Sequence, residues 1–195
     1  MTRTIAAIVE GHGEVSALPV LLRRIAESVV PAEDVEIPRP HRISRSALLK
    51  GQKFESAVAA AANKVTDRGG ILVLIDADDD CPAKLGPSLS SRAKAARSDR
   101  VSCVVLATME YEAWFIASVS SLAGKNGLPN NISKPNNPEN IRGAKEWLGR
   151  QMAGSRTYSP TTDQPALTKL FDMALARRNS PSFDKFWRDV EKLLK

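Results

Sequence analysis

The chain contains 195 residues, 43% hydrophobic and 26% charged, and its 28 basic and 22 acidic residues give a formal net charge of +6. This length favours one domain with a real hydrophobic core, and this composition excludes a chain that is disordered throughout. Two cysteines exclude a disulfide scaffold, and no apolar run approaches the roughly 18 residues of a membrane span. We therefore expect a soluble, cytoplasmic protein that has reduced thiols, no signal peptide and no membrane partner.

The first part of the chain alternates between strand-like and helix-like segments. Strands are predicted at residues 4–9, 35–37, 71–75 and 101–107, and helices at residues 15–29, 54–65, 85–97 and 111–121. The helices are indicated chiefly by apolar residues at helical spacing. The last two strands are unbroken apolar runs, which are typical of strands buried on both faces of a parallel sheet. The alternation predicts an α/β fold with an open, mostly parallel four-stranded sheet flanked by helices.

The rest of the chain reads as a loop followed by helices. Gly, Asn, Pro and Ser dominate residues 124–138, and helices are predicted at residues 141–152, 166–177 and 183–194. We therefore divide the chain into an α/β domain, residues 1–123, and a loop plus a helical C-terminal extension packed on it, residues 124–195.

Acidic residues follow three of the predicted strands. They are Glu10 and Glu14 after the first strand, Asp76, Asp78, Asp79 and Asp80 after the third, and Glu110 and Glu112 after the last. Because the carboxyl ends of parallel strands meet at one edge of a sheet, these acids are expected to converge there. Converging carboxylates repel each other unless cations neutralise them, and oxygen ligands suit Mg²⁺ or Mn²⁺. Alternation along an extended segment would place Asp76 and Asp78 on the same side.

Several of these acids have a simpler explanation as well. Asp79 and Asp80 are residue types that form turns and cap helices, and Glu14 is favoured in a first helical turn by the helix dipole. Glu110 and Glu112 could equally begin a helix. We place Glu10, Asp76 and Asp78 within reach of one metal ion, with Glu14 and Glu110 as further ligands.

Two basic stretches stand beside the acids in the sequence, at residues 39–53 and 84–100. They are either a solvated loop and helix face or the two sides of a groove for a polyanion. On the second interpretation, nucleic-acid contacts are predicted from Arg42, Arg45, Lys50, Lys53, Lys84 and Arg92. Solvated positions are expected for the isolated cations of the extension, such as Lys145 and Lys169. His12, beside Gly11 and Gly13 at a helix start, could orient a phosphate or a water.

The strand-end motifs resemble a known fold. A strand that ends in Glu-Gly and a later one that ends in Asp-x-Asp, here residues 8–11 and 74–78, are similar to the TOPRIM fold of topoisomerases, primases and OLD-type nucleases. The segments 9–14 and 109–115 resemble more closely a bacterial TOPRIM-like group, the domain-of-unknown-function 4276 family. The likeness covers residues 4–121, and residues 180–183 are similar to that family's ending.

The resemblance implies a Mg²⁺-dependent site for phosphodiester chemistry. Glu10 would then serve as an acid–base group or metal ligand, while Asp76 and Asp78 would hold metal. It also implies that some members work beside an ATPase in phage defence. Because the chain lacks the tyrosine region of a topoisomerase and the zinc module of a primase, nuclease is the preferred enzyme class.

Two alternatives stay open from the sequence. The first is a non-catalytic TOPRIM-like partner subunit of an ATPase in a defence complex. The second is a receiver-like phosphoacceptor, in which an acidic pocket binds Mg²⁺ and one aspartate is phosphorylated. Against this second alternative, no lysine ends a final predicted strand.

Overall fold

A parallel sheet forms the centre of the computed structural model, which describes residues 2–49, 52–66, 68–154 and 156–195. Its strands are β1 (Arg3–Val9), β2 (Val35–Glu36), β3 (His41–Arg42), β4 (Arg68–Asp76) and β5 (Ser102–Ala107). The order is β2-β1-β4-β5, β3 also pairs with β1, and every pairing is parallel. The predicted α/β architecture with an open parallel sheet is therefore confirmed.

One edge of the sheet is shared by two short strands. β2 pairs with the beginning of β1, where Arg3 faces Val35, and β3 pairs with its end, where Val9 faces Arg42. Pro38 and Pro40 separate the two, and neither can donate a ladder hydrogen bond because proline has no N–H. The basic stretch at residues 39–53 is therefore more structured than the predicted loop. It contains β3, the short helix α2 (Arg45–Leu49) and the start of the next helix, while Lys50 lies outside the described residues.

Helices cover both faces of the sheet. On one face lie α1 (His12–Val29), α5 (Ala113–Ala117), α6 (Ala144–Gln151), α7 (Pro160–Leu170), α8 (Met173–Asn179) and α9 (Pro181–Leu194). On the other face lie α2, α3 (Lys53–Ala62) and α4 (Pro82–Ala96). Successive residues of β1, β4 and β5 alternate between the two cores, as strand geometry requires. None of the helices in the described part of the chain has the length and apolar character that a membrane crossing needs.

The C-terminal helices differ from their prediction in one respect. Residues 166–177, predicted as one helix, belong to the two helices α7 and α8. α8 has its own N-cap, since the side chain of Asp172 accepts a hydrogen bond from the Leu175 N–H at 2.9 Å. α7 begins six residues earlier than predicted, at Pro160, because a proline is well suited to the first position of a helix.

The predicted helix at residues 111–121 is shorter than expected. Only α5 is α-helical, and a 3₁₀ turn at Val119–Leu122 follows it. The start is delayed because Met109 adopts a left-handed conformation with φ of 62° and the Tyr111 N–H donates to the Asp76 carboxylate at 2.8 Å. This turn places the residues after β5 against the end of β4.

Helices α1 and α7 pack closely because Gly13 has no side chain. A Cβ atom at Gly13 would lie 2.6 Å from the Pro160 carbonyl oxygen and would also overlap the side chain of Gln164. The first turns of the two helices approach each other at this point. The C-terminal segment is thereby held beside the carboxyl edge of the sheet.

Replacing Gly13 by alanine should therefore lower the free energy of unfolding by about 1–3 kcal/mol, the range for an overpacked contact. Gly86→Ala is the matched control, since a Cβ at this helical position meets only Leu106, at an ordinary 3.5 Å. That variant should be unchanged or up to about 1 kcal/mol more stable, because alanine is the better helix former. Urea denaturation measures both changes, and a Gly13→Ala protein as stable as the control would contradict the packing argument.

Candidate functional site

The predicted acidic site lies at the carboxyl edge of the sheet. β1 and β4 are neighbours with Val9 opposite Leu74, so Glu10 and Asp76 follow adjacent strand ends. A cavity of about 390 Å³ opens here, between the first turns of α1 and α7. Its lining includes four of the predicted metal ligands, Glu10, Glu14, Asp76 and Asp78, together with Lys145 and Gln164. The fifth predicted ligand, Glu110, contacts Lys145 and lines a neighbouring cavity with Asp78.

Arg45 is the counter-ion of one group of acids. Its guanidinium lies 3.5 Å from Glu10 Oε2 and 3.6 Å from Asp78 Oδ2, and it also forms an ion pair with Asp80. It donates to the Ala77 carbonyl at 3.1 Å as well. Arg45, which was predicted to contact nucleic acid, is therefore engaged within the protein.

The chain turns sharply at Asp78. This residue has φ of 48°, in the left-handed region, which is uncommon for a residue other than glycine. The extended alternation expected after β4 is therefore absent. Instead, Asp76 faces α6 whereas Asp78 faces α2.

Lys145, at the start of α6, is the counter-ion of the other group of acids. Its Nζ lies 3.4 Å from Asp76 Oδ2, 3.3 Å from Glu110 Oε1 and 3.3 Å from Glu112 Oε2. The Lys145 N–H also donates to Glu110 Oε2 at 3.0 Å, so this carboxylate lies at the amino end of the helix. The expectation of a solvated lysine is wrong at this position, where the side chain is only 30% exposed.

Glu112 is a site residue that the sequence analysis placed among the converging acids but did not name as a metal ligand. Its side chain is fully buried and accepts hydrogen bonds from Tyr158 Oη at 2.8 Å and Gln164 Nε2 at 3.1 Å. The signal in the sequence was its place two residues after Glu110. Its partners could not be found in this way, because Tyr158 and Gln164 are about fifty positions further along the chain.

Glu14 combines a structural and a site position. It is buried in the first turn of α1 and accepts a hydrogen bond from the Gly11 N–H at 2.6 Å. This contact satisfies a backbone donor at the helix start. The same carboxylate lines the acidic cavity. Glu14 therefore occupies the first helical turn, as one interpretation of the sequence expected, and also lies at the acidic site, as the other expected.

Burial raises the pKa of four carboxyl groups at this edge, namely Glu10, Glu14, Asp76 and Glu112. Arg45 opposes this rise for Glu10, and the Gly11 N–H opposes it for Glu14. Burial lowers the pKa of Lys145, but its three carboxylate neighbours outweigh that effect and raise it overall. The ammonium therefore stays charged, while the acids hold protons more readily than exposed carboxyls do.

The edge carries more negative than positive charge. Seven carboxylates line the acidic cavity or pair with Arg45 or Lys145: Glu10, Glu14, Asp76, Asp78, Asp80, Glu110 and Glu112. An eighth, Asp79, lies beside them and has its own cation, Arg142, at 2.6 Å. Among the described residues, Arg45 and Lys145 are the two basic side chains that form ion pairs with the seven. Protons or added cations are needed to offset the remainder.

The donor set fits a hard divalent cation, because all of its charged ligands are carboxylate oxygens. Two further buried oxygens lie here: Gln164 Oε1 has no hydrogen-bond partner in the described structure, and Glu112 Oε2 meets only the Lys145 ammonium at 3.3 Å. In the described part of the chain, no three His, Cys, Asp or Glu side chains already form a metal-binding group. Glu10 and Asp78 are drawn to Arg45 and Asp76 to Lys145, so a common ion for these three acids stays a prediction.

The other predicted nucleic-acid residues have varied surroundings. Arg42 is exposed beside Glu10, and Lys53 and Lys84 are exposed in the first turns of α3 and α4. Arg92 pairs with Glu55 at 2.6 Å and lies 4.9 Å from the ring centre of Phe54. α4 leaves the carboxyl edge after its first turn, so most of the second basic stretch does not flank the acids. Nucleic-acid contact by any of these residues stays a prediction.

The raised pKa of Asp76 predicts how the free energy of unfolding changes with pH. Because this pKa is higher in the folded protein than in the unfolded chain, ionised Asp76 destabilises the fold. This loss is absent below about pH 4, the unfolded pKa, and grows as the pH rises through the folded pKa. Asp76→Asn cannot ionise, so its stability relative to the wild type should be greater at pH 8 than at pH 4. Urea denaturation with a chelator present measures the difference, and parallel pH profiles would contradict it.

Comparison with known proteins supplies a family. Neither the curated proteins nor the solved structures gave a match. The family described as a domain of unknown function (DUF4276) matches residues 9–191. This span contains all seven carboxylates, Arg45 and Lys145, together with all or most of every described helix and of four strands. The chain therefore belongs to the domain-of-unknown-function 4276 family, as the motifs at residues 9–14 and 109–115 predicted.

Proposed function

We propose that this protein is a metal-dependent nuclease that hydrolyses nucleic-acid phosphodiesters with Mg²⁺ or Mn²⁺. The observation that carries the proposal is the excess of negative charge at the carboxyl edge, where seven carboxylates meet two paired cations. Carboxylates that lie this close repel each other and lower the free energy of unfolding, so their accumulation at one site is typical of a site that binds cations. Nuclease chemistry needs divalent cations beside a phosphodiester and a group that can move a proton.

The chain's own residues divide this work. Glu10, Glu14, Asp76, Asp78 and Glu110 would hold the ions, which when bound would neutralise phosphate charge and acidify a water. Glu10, whose pKa burial raises, would accept a proton from that water. Arg45 and Lys145 stay positive and keep the acids close together in the absence of metal.

The order of the acids also supports a TOPRIM relationship, which we include in the proposal. Glu10 follows the first strand, the Asp76-x-Asp78 pair follows β4, and these two strands are neighbours. A role beside an ATPase in phage defence would follow from the same relationship. The corresponding alternative is that the chain is a non-catalytic subunit of such a complex. The observation that favours the alternative is that six of the seven acids already have an internal counter-ion.

Cleavage assays separate these two functions. In Mg²⁺ or Mn²⁺, the wild type should cleave members of a mixed DNA and RNA panel, and Asp76→Asn or Glu10→Gln should lower the rate roughly 100-fold or more. Glu36→Gln is the matched control, because Glu36 is an exposed carboxylate of β2 outside the acidic edge.

Each other result has a stated meaning. Equal cleavage by the wild type and Asp76→Asn would assign the activity to another site or a contaminant. If the wild type cleaves nothing, alone or with an ATPase encoded beside it, but binds that ATPase, the nuclease proposal fails in favour of the partner subunit.

A second prediction concerns the role of Lys145 as a counter-ion. Lys145→Met leaves Asp76, Glu110 and Glu112 without their cation and should lower the free energy of unfolding by about 1–3 kcal/mol without metal. Mg²⁺ should then stabilise this variant more than the wild type, because a bound cation replaces the lost charge. Thermal unfolding with and without Mg²⁺ measures this, and Lys169→Met, at an exposed lysine of α7, is the control. Equal Mg²⁺ shifts in all three proteins would contradict a cation site here.

The receiver-like alternative needs its own test, because Lys145 supplies the lysine that the strand ends lack. Its ammonium lies 3.4 Å from Asp76, although it comes from a helix. Under the nuclease proposal, incubation with acetyl phosphate and Mg²⁺ leaves the intact mass unchanged. A gain of one phosphoryl group in the wild type that Asp76→Asn lacks would favour the phosphoacceptor.

A further inference from the structure

A second cavity lies beside the acidic one and has the opposite charge. Its volume is about 460 Å³, and its lining is His12, Val15, Ser16, Arg39, Pro40, His41, Arg42 and Lys64. Among the described residues, this lining contains three basic side chains, two imidazoles and no acidic residue. His12 lines both cavities, so the two are adjacent at the first turn of α1.

In the described part of the chain, the cations of this second cavity have no acidic partner, since no carboxylate there lies within ion-pair distance of Arg39, Arg42 or Lys64. The polar contacts of these side chains are to backbone oxygens, from Arg42 to the Glu10 carbonyl at 3.3 Å and from Lys64 to the Arg39 carbonyl at 3.5 Å. Arg45, only three residues after Arg42, is by contrast held by three carboxylates.

The fold, rather than the sequence alone, creates this concentration of charge. Pro38 and Pro40 interrupt the edge of the sheet, so Arg39 stands between β2 and β3 instead of within a ladder. Pairing of β3 with the end of β1 brings Arg42 to the acidic edge. Lys64, just beyond α3, comes from the other face of the sheet and reaches the Arg39 carbonyl beside β1.

We propose that this cavity binds a phosphate group of a nucleic-acid strand whose neighbouring phosphodiester lies at the acidic edge. The inference rests on the proposed function and names the part of the substrate that is held. Seven carboxylates repel a polyanion, so a strand can approach them only where cations stand beside them. Guanidinium, ammonium and imidazole N–H groups are the donors that bind phosphate oxygens. They contact the backbone and not the bases, so binding should show little sequence preference.

Binding measured in EDTA tests this cavity without requiring cleavage. The probe is a short DNA oligonucleotide labelled at its 3′ end, with either a 5′-phosphate or a 5′-hydroxyl, followed by fluorescence anisotropy. Arg39→Gln and Lys64→Gln should each bind about five- to tenfold more weakly than the wild type. Each should also reduce the log–log salt slope by about 0.7 on single strands. The controls Arg178→Gln and Lys169→Gln remove exposed cations of α8 and α7 and should leave the slope unchanged.

The two probes identify which phosphate is bound. If the 5′-phosphate tightens binding by the wild type but not by Arg39→Gln, the cavity holds a terminal phosphate. If both probes lose affinity equally in that variant, it holds an internal one. The proposal is overturned if the cavity variants bind like their controls, or if the wild type binds neither probe at low salt.

Cleavage in Mg²⁺ separates failure of the cavity from failure of the nuclease. Where the wild type cleaves, Arg39→Gln should raise KM and leave kcat close to that of Arg178→Gln. A normal KM in the cavity variants would overturn the proposed phosphate site but not the nuclease proposal. If binding depends on the cavity but no condition gives cleavage, the nuclease proposal is overturned and the proposed phosphate site is retained.

Discussion

Repulsion between carboxylates at one edge of a parallel sheet is the constraint on which the rest of this structure depends. A parallel arrangement brings the ends of β1, β4 and β5 together, and acids follow all three. Two cations make this arrangement tolerable. Arg45 and Lys145 each bind three carboxylates, so that six of the seven acids have a counter-ion within about 3.6 Å. Helices α2 and α6 carry these two side chains to the edge, and each helix also packs apolar residues into one of the two cores.

The same constraint ties the C-terminal segment to the sheet. Lys145, Tyr158 and Gln164 all come from residues 124–195, and each contacts Glu112. Without this segment Glu112 would be deprived of its hydrogen-bond donors and of its counter-ion, which is unfavourable for a buried carboxylate. The segment also supplies much of the core on one face of the sheet. The charge balance of the site therefore depends on both parts of the predicted division at residue 123.

The strands and their acidic ends could be predicted because both are local features. Unbroken apolar runs predict β4 and β5, and the parallel order then brings Glu10 and Asp76 together without knowledge of any side-chain contact. The counter-ions could not be predicted, because an exposed and a buried lysine look alike in a sequence. Lys145 is 69 positions from Asp76, and only the docking of α6 brings them together. β3 escaped prediction because two residues between prolines and a polar stretch carry no periodicity.

The sequence showed basic residues near the acids, but not which of them are available to a ligand. The structure divides them by their partners. Arg45 and Arg92 are held by carboxylates of the protein, whereas in the described structure Arg42 and Lys64 donate to backbone oxygens and no carboxylate pairs with Arg39, Arg42 or Lys64. A charge already paired inside the protein adds little attraction for a polyanion, because the field of the pair falls off quickly with distance. On the proposed function, phosphate binding would therefore depend less on the net charge of +6 than on the few cations that have no carboxylate partner in the described part of the chain. Their cavity lies next to the carboxylates that would repel the same ligand, so on the proposed function one cavity would bind the phosphate and the adjacent one would carry out the hydrolysis.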